Sequence, residues 1–264
     1  VHAIVLVKQV PDTAQLSPKN DALQIMAEGG PRIVNPWDEY AIEIAIQLKE
    51  EHGGKVTLIC VGEPEAVDAL KTGLAMGADE AILLSDPLFR EGDTLATARV
   101  LAAAIAKLDP FDLILSGKTS IDGNSGATAV QLAAILDVPA VSYVAELGSL
   151  DLEDNTLEAV RLLENRRETV SSRLPSVVSV VKEICEPRYP SFIGIRRAAS
   201  ASIPVWGIDD LELNLDEVGL RGSQVVWSEV VLAENRERGV EIIGGSPKEA
   251  AETLISKLAE EKLL

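Results

Sequence analysis

Short, largely apolar runs alternate with segments of helical period over the first two thirds of this chain. No other feature constrains its fold as strongly. "HAIVLVKQV", "KVTLICV", "AILLS", "DLILS" and "AVSYVAEL" read as strands buried on both faces, the pattern of a parallel sheet covered by helices. Between them, "DEYAIEIAIQLKEE" sets Ala41, Ile44, Ala45 and Leu48 at helical spacing before a Gly53-Gly54 stop. A helix opened by Pro64 carries Val67, Leu70, Leu74 and Ala75, and "DTLATARVLAAAIAKL" offers Asp93 as its N-cap. Strands joined by helices of this length form βαβ units. The expected class is α/β, with a doubly wound, largely parallel sheet.

The pattern changes at Leu150. "TLEAVRLL", "RETVSS" and "SVVSVV" read as short strands with hairpin-like connections, so an antiparallel portion is expected over about 150–182. After Ala201 the chain is irregular, with Trp206 and Trp227 as isolated apolar anchors, and it closes on "SPKEAAETLISKLAEEKL". There Ser246 stands at the N-cap, Pro247 at N1 and Glu249 at N3, which predicts a capped helix. Free tails seldom place two tryptophans in water, so residues 201–264 are expected to form an extended arm and helix that lie on a partner subunit. Residues 1–200 form the main domain in this reading.

A net charge of −18 repels phosphate backbones and argues against nucleic-acid binding. Two cysteines, Cys60 and Cys185, imply no disulfide framework, and His2 and His52 are too few for a histidine metal site or triad. The apolar opening is interrupted by Lys8 too soon to span a membrane, so a cytoplasmic protein is the default expectation. No nucleophile, metal cluster or carboxylate pair nominates itself for catalysis.

Ligands of open α/β sheets sit beyond the carboxyl ends of the strands. "VKQVPD", "VGEPE", "GDTLAT" and "GKTSIDGNSGAT" should converge there. The last is the most informative. Gly117, Gly123 and Gly126 permit close backbone approach, while Ser120, Asn124, Ser125 and Thr128 offer neutral hydrogen bonds ahead of a helix N-terminus. Such a stretch is shaped to hold phosphate, the alternative being a plain glycine-rich turn. Asp122 would repel phosphate, so a ribose contact or loop ordering suits it better. "GDTLAT" repeats the device with Asp93, Thr94 and Thr97, and Lys8 can neutralise an anion at the same edge.

Taken together, "VLVKQVPDT", "IVNPWDEYAIEIAIQLKE", "ALKTGLAMGADEAILL", "DLILSGKTSIDGNSG", "SRLPSVVSVVKEICEPRYPSFIGIRRA" and "GLRGS" resemble the beta (small) subunit family of electron transfer flavoprotein. The resemblance implies a Rossmann-like domain holding an adenine nucleotide, and a heterodimer with an alpha subunit that carries the electron-transferring FAD. It places the nucleotide at Leu6, Lys8, Asn35, Asp38, Val61 and the run Gly117, Lys118, Ser120, Ile121, Asp122, Gly123, Asn124, Ser125, Gly126, Ala127 and Thr128. Ser223, closing "GLRGS", joins Asp93, Thr94 and Thr97 in this set. The segment after "EPRY" is implied to recognise partner dehydrogenases, through Arg188, Phe192, Ile195 and Arg196. "VKQVPD", "GDTLAT", "IDG" and "GLRGS" look closer to the electron-bifurcating members, in which the beta subunit holds a second FAD within reach of NADH. AMP, the nucleotide of the respiratory-type members, is the alternative. Ala127 stands where the bifurcating pattern has glutamine. A non-redox adenine-nucleotide-binding regulatory protein is the competing class.

Overall fold

The computed structural model describes residues 1–15, 30–225 and 240–264. They fall into two compact units, Val1–Val230 and Val231–Leu264. In the first unit a nine-stranded sheet runs in the order β11-β5-β4-β1-β6-β10-β7-β8-β9. Its members are β1 (His2–Leu6), β4 (Lys55–Val61), β5 (Glu80–Leu84), β6 (Leu113–Gly117), β7 (Ala140–Asp151), β8 (Thr156–Leu162), β9 (Arg167–Arg173), β10 (Ser176–Val180) and β11 (Val205–Trp206). A separate antiparallel pair joins β2 (Gln9–Pro11) to β3 (Arg32–Val34).

From β11 through to β7 every neighbouring pair is parallel, and only β7–β8 and β8–β9 are antiparallel. The expected doubly wound sheet is therefore present. One strand departs from expectation. Ser176–Val180, read with the antiparallel portion, inserts in parallel between β6 and β7. Its five residues are all buried, so its sequence carries no alternation from which direction or neighbours can be read.

Helices cover both faces. α1 (Pro36–His52) and α2 (Val67–Met76) bury Ile42, Ile46, Leu70 and Leu74 against Val5, Leu58, Leu115 and Val178 on one face. On the other, α3 (Thr94–Ile105) and α4 (Thr128–Leu136) pack Leu101, Ile105 and Leu132 on Ile4, Ile59, Ile114 and Val177. Each such fully buried aliphatic side chain contributes about 1.5–3 kcal/mol. His2 is spent at the amino edge of the sheet: Nδ1 bonds the Pro110 carbonyl at 2.9 Å and Nε2 meets Thr57 Oγ1 at 3.0 Å.

After β10 come α5 (Phe192–Ala199), β11, and the short helices α6 (Ile208–Leu211) and α7 (Gly219–Gly222). Trp206 is half-buried against the α3–α4 core of the first unit. Residues 201–225 thus contribute to the sheet edge and its core, where sequence led us to expect an arm throughout. Trp227, the second expected anchor, lies outside the described residues. In the second unit, α8 (Pro247–Glu260) begins as expected, with Ser246 and Glu249 forming a reciprocal capping box. No residue of α8 is buried, and Leu254 and Ile255 stand exposed.

Candidate functional site

The strand order reverses at β1: the chain proceeds from β1 outward through β4 and β5, then returns to place β6 on the other side. The crevice between the carboxyl ends of β1 and β6 is the switch point where α/β sheets bind ligands.

Asp38, in the first turn of α1, knits these two strand ends together. Its Oδ2 accepts from the Lys8 N–H at 2.8 Å; its Oδ1 accepts from the Gly117 N–H at 3.1 Å and from Asn35 Nδ2 at 3.0 Å. Asn35 also donates to the Thr119 carbonyl at 2.9 Å and accepts from the Ile121 N–H at 3.2 Å. Both residues were expected at the nucleotide. Their side chains bind each other and the protein's own backbone at these strand ends. Asp38 is only 5% exposed, and burial pushes its carboxyl up to about 7 against the pull of the Lys8, Asn35 and Gly117 donors.

Gly117 is bare for the same internal reason. A Cβ there would stand 2.6 Å from the Trp37 carbonyl carbon, so the bare Cα makes room for α1. Lys118 follows, with Nζ 4.2 Å from the centroid of the Trp37 ring, within cation–π range.

The rest of the loop turns on itself. Asn124 and Gly126 have φ of 47° and 62°, the left-handed region. The Asn124 N–H donates to the Ser120 carbonyl at 2.9 Å, and Thr119 Oγ1 donates to Asn124 Oδ1 at 3.2 Å. Ser120 Oγ accepts from the Gly123 N–H at 3.4 Å. Asp122 is paired with Lys8 at 2.7 Å. Burial acts to raise its pKa, but Lys8, Ser120 and the Gly123 N–H outweigh that and hold it below the usual range. The loop carboxylate is therefore compensated, and Lys8 is already engaged. Ser125 is exposed. Ala127 precedes α4 without capping it by a side chain, so the first N–H groups from Thr128 onward are left without a side-chain acceptor.

Leu6 and Val61 end β1 and β4 at the same edge. Asp93 caps α3 through the Ala96 N–H at 2.8 Å, and Thr97 Oγ1 donates to the Asp93 carbonyl at 2.9 Å. Thr94 is the first residue of that helix. Ser223 Oγ accepts from the Asp93 N–H at 2.8 Å and donates to the Gly219 carbonyl at 2.8 Å. The Asp93 carboxylate also takes the N–H groups of Gln224 and Val225 at 2.6 and 3.0 Å. Burial works against this charge, but the backbone donors prevail and lower its pKa. Asp93→Asn removes one acceptor from the latch. Faster amide exchange at 223–225, with the β1–β6 core unchanged, is the expected result by hydrogen-exchange mass spectrometry; equal protection would show the latch to be dispensable.

A family model described as an electron transfer flavoprotein domain matches residues 23–211. The chain belongs to the electron transfer flavoprotein family. It is 40% identical over 261 residues to the electron transfer flavoprotein subunit beta of Thermoanaerobacterium thermosaccharolyticum, covering 98% of each chain. It is 37% identical over 267 residues to the caffeyl-CoA reductase-Etf complex subunit CarD of Acetobacterium woodii, covering 100% of each. It is also 35% identical over 269 residues to the protein FixA of Azotobacter vinelandii, covering 98% of this chain and 94% of that one. The chain is thus of the beta-subunit type, with the family's electron-transfer role, its flavin association and its pairing with an alpha subunit. Among the described residues no helix is long and apolar enough to cross a membrane, and no group of three or more His, Cys, Asp or Glu could hold a metal ion.

The segment after "EPRY" is a helix held out from the sheet. Ser191 caps α5 through the Gly194 N–H at 2.9 Å. Phe192 and Ile193 are 79% and 80% exposed, and Ile195 and Tyr189 are exposed beside them. Arg196 lies in the last turn, at the surface. Arg188 does not share this exposure. Its guanidinium forks onto Glu43 at 2.8 Å and Glu50 at 2.6 Å, both on α1. Sequence reading placed Arg188 among the recognition residues but did not find these partners; their i, i+7 spacing on one helix face was the available signal. Gly194 lets α5 approach α2, because a Cβ there would collide with the Ala75 carbonyl oxygen. Gly194→Ala is therefore expected to lift α5 from α2 at a cost of roughly 1–3 kcal/mol. Thermal unfolding reads the loss, and an unchanged midpoint would contradict it.

Proposed function

We propose that this chain is the nucleotide-holding subunit of a flavin-dependent electron carrier, paired with an alpha subunit that carries the electron-transferring FAD. One observation carries the nucleotide part. The glycine-lined loop after β6 runs into an uncapped helix N-terminus at the switch point, with its one carboxylate neutralised by Lys8. That arrangement fits an adenylate phosphate: the N–H groups at Thr128 and beyond supply donors, and Gly126 keeps the backbone low. Ser120, Asn124, Ser125 and Thr128 would orient ribose and phosphate, and Leu6 and Val61 would flank the base. Bound flavin supplies the redox chemistry; this chain's residues bind, orient and exclude water.

A second FAD in this chain, reduced by NADH and feeding electron bifurcation, is the fuller form of this reading. Similarity to a subunit named for a caffeyl-CoA reductase–Etf complex supports it. AMP is the second reading, and a specific observation favours it. The Asp93 carboxylate and the Ser223 hydroxyl, in the segments that resemble the FAD-holding members, are taken up by internal hydrogen bonds.

Exposed Phe192, Ile193 and Ile195, backed by Arg196, would dock a partner dehydrogenase with an acidic rim around an apolar socket. The unburied apolar side of α8 would pack on the alpha subunit. Mass spectrometry of nucleotides released from the co-purified heterodimer tests the assignment. Two FAD per heterodimer is the expected result for bifurcation, and one FAD with one AMP for the respiratory type. A folded heterodimer free of flavin, or a stable monomer that binds ATP tightly, would overturn the proposal in favour of a regulatory protein.

A further inference from the structure

The nine-stranded sheet ends differently at its two edges. At one, β11 contributes two residues. At the other, β9 runs for seven, Arg167–Arg173, and no described residue pairs with its outer side. Its register with β8 is unbroken from Thr156↔Arg173 to Leu162↔Arg167, so no bulge bends it out of line. Val170 packs on the core beneath and holds the strand in place. Bulges, prolines and lysines are the usual means of turning stray strands away, since every second residue of an edge leaves its N–H and C=O unpaired. β9 has none of the three, and Thr169–Ser172 carries no charge. Apart from the β8 ladder, its backbone meets only Ser172 Oγ among the described residues, which donates to the Arg173 carbonyl at 3.3 Å.

The side chains along this edge select what can lie on it. Glu168, its one carboxylate, is engaged from within by Arg166 at 2.6 Å and Arg161 at 4.0 Å. Arg167 and Arg173, one at each end, are exposed and have no ion pair among the described residues. In a chain of net charge −18, a locally cationic edge draws carboxylates that the rest of the surface repels. A second copy of the chain is a poor occupant. With full overlap, two β9 strands pairing antiparallel set Arg167 of each against Arg173 of the other, and like charges directly opposite destabilise a ladder. A partner that comes and goes would leave the edge bare between visits. A permanent neighbour keeps it covered, and family membership supplies one in the alpha subunit.

We propose that β9 accepts an extended, carboxylate-bearing segment of the alpha subunit as a further strand, so that the sheet continues across the subunit boundary. The added strand takes the outward N–H and C=O groups, and its carboxylates meet Arg167 and Arg173. Neighbouring strands stand about 4.8 Å apart, within reach of an arginine. This inference rests on the pairing with an alpha subunit.

Hydrogen-exchange mass spectrometry on the full chain, alone and in the co-purified heterodimer, reads the edge. In the chain alone, about half the amides of 167–173 should exchange fast, because an edge strand is paired on one side. In the heterodimer the same peptide should slow by roughly tenfold or more, with β1 and β6 unchanged. Thr169→Pro and Val170→Pro each remove one N–H. Adjacent N–H groups point to opposite sides of a strand, so one of the two spares the β8 ladder. Whichever melts closer to wild type should weaken heterodimer formation roughly tenfold. Arg167→Glu with Arg173→Glu changes exposed side chains only. It should leave the melting temperature unchanged and weaken the heterodimer at low salt, the difference shrinking as salt rises.

Equal exchange of 167–173 in the two states overturns the inference: fast in both leaves the edge uncovered, and slow in both means that the chain covers it with a segment of its own. Slowing that grows with the concentration of the chain alone assigns the edge to a second copy and overturns it too. So does undiminished heterodimer affinity in both the proline and the charge-reversed variants. Absence of any heterodimer would sink the pairing itself and this inference with it. A heterodimer in which β9 exchanges fast sinks this inference alone.

Discussion

Asp38→Ala at pH 8 is expected to destabilise the first unit by about 3 kcal/mol or more, because three donors lose their acceptor in a dry site at about 1–3 kcal/mol each. Those donors are the Lys8 N–H, the Gly117 N–H and Asn35 Nδ2. Thermal unfolding should show a midpoint lower by roughly 6–12 °C for a chain of this size. A change below about 1 kcal/mol would mean that water replaces the carboxylate and that the clasp is slack. The same group makes stability depend on pH. Burial raises its folded pKa from the ordinary 3.8 to about 7. The folded protein thus keeps a proton that the unfolded chain has released. This group's contribution to stability is therefore greatest below the ordinary value and declines as pH rises through that window. Asp38→Asn should abolish that slope between pH 4 and pH 7, and an unchanged slope would assign it to another group.

Arg188→Ala is expected to cost about 3 kcal/mol, chiefly by leaving Glu43 buried and without its counter-ion. Glu43 is 3% exposed. Burial acts to raise its pKa, and Arg188 with Gln47 outweighs this and holds it below the ordinary carboxylate value. Its stabilising contribution is present at neutral pH and is lost as pH falls through the lowered pKa. Without Arg188, amide exchange across Phe192–Ala199 should quicken, because the same guanidinium pins the approach to α5 onto α1. Undiminished protection there, with an unchanged melting temperature, would show that α2 alone holds the recognition helix.

These two residues show how far the sequence could be read. The strands were legible because double-sided burial writes uninterrupted aliphatic runs, and the helix starts because Asp93, Ser246 and Pro247 have local reasons to be where they are. The crevice was legible as a set of loops, since topology alone brings strand ends together. What lay hidden were relations across the fold. Nothing near Asp38 in sequence announces that its carboxylate faces Gly117, and nothing near Gly117 announces that the space it leaves is taken by Trp37. Tyr143 has ordinary strand neighbours, and its left-handed backbone follows from the register shift with β10. The place of β10 could not be read from five buried residues whose neighbours on either side come from elsewhere in the chain.

One small element has a consequence for how this chain is made. β11 has two residues, yet it lies along β5, where the Leu83 and Ser85 N–H groups donate to the Pro204 and Trp206 carbonyls at 3.0 Å each. Those partners are synthesised some 120 residues after β5 leaves the ribosome. Until then β5 offers an open, aliphatic rim to any other nascent chain, a hazard that ends only when the late segment docks. A product cut short before Val205 would keep that rim for good and be prone to clump through it.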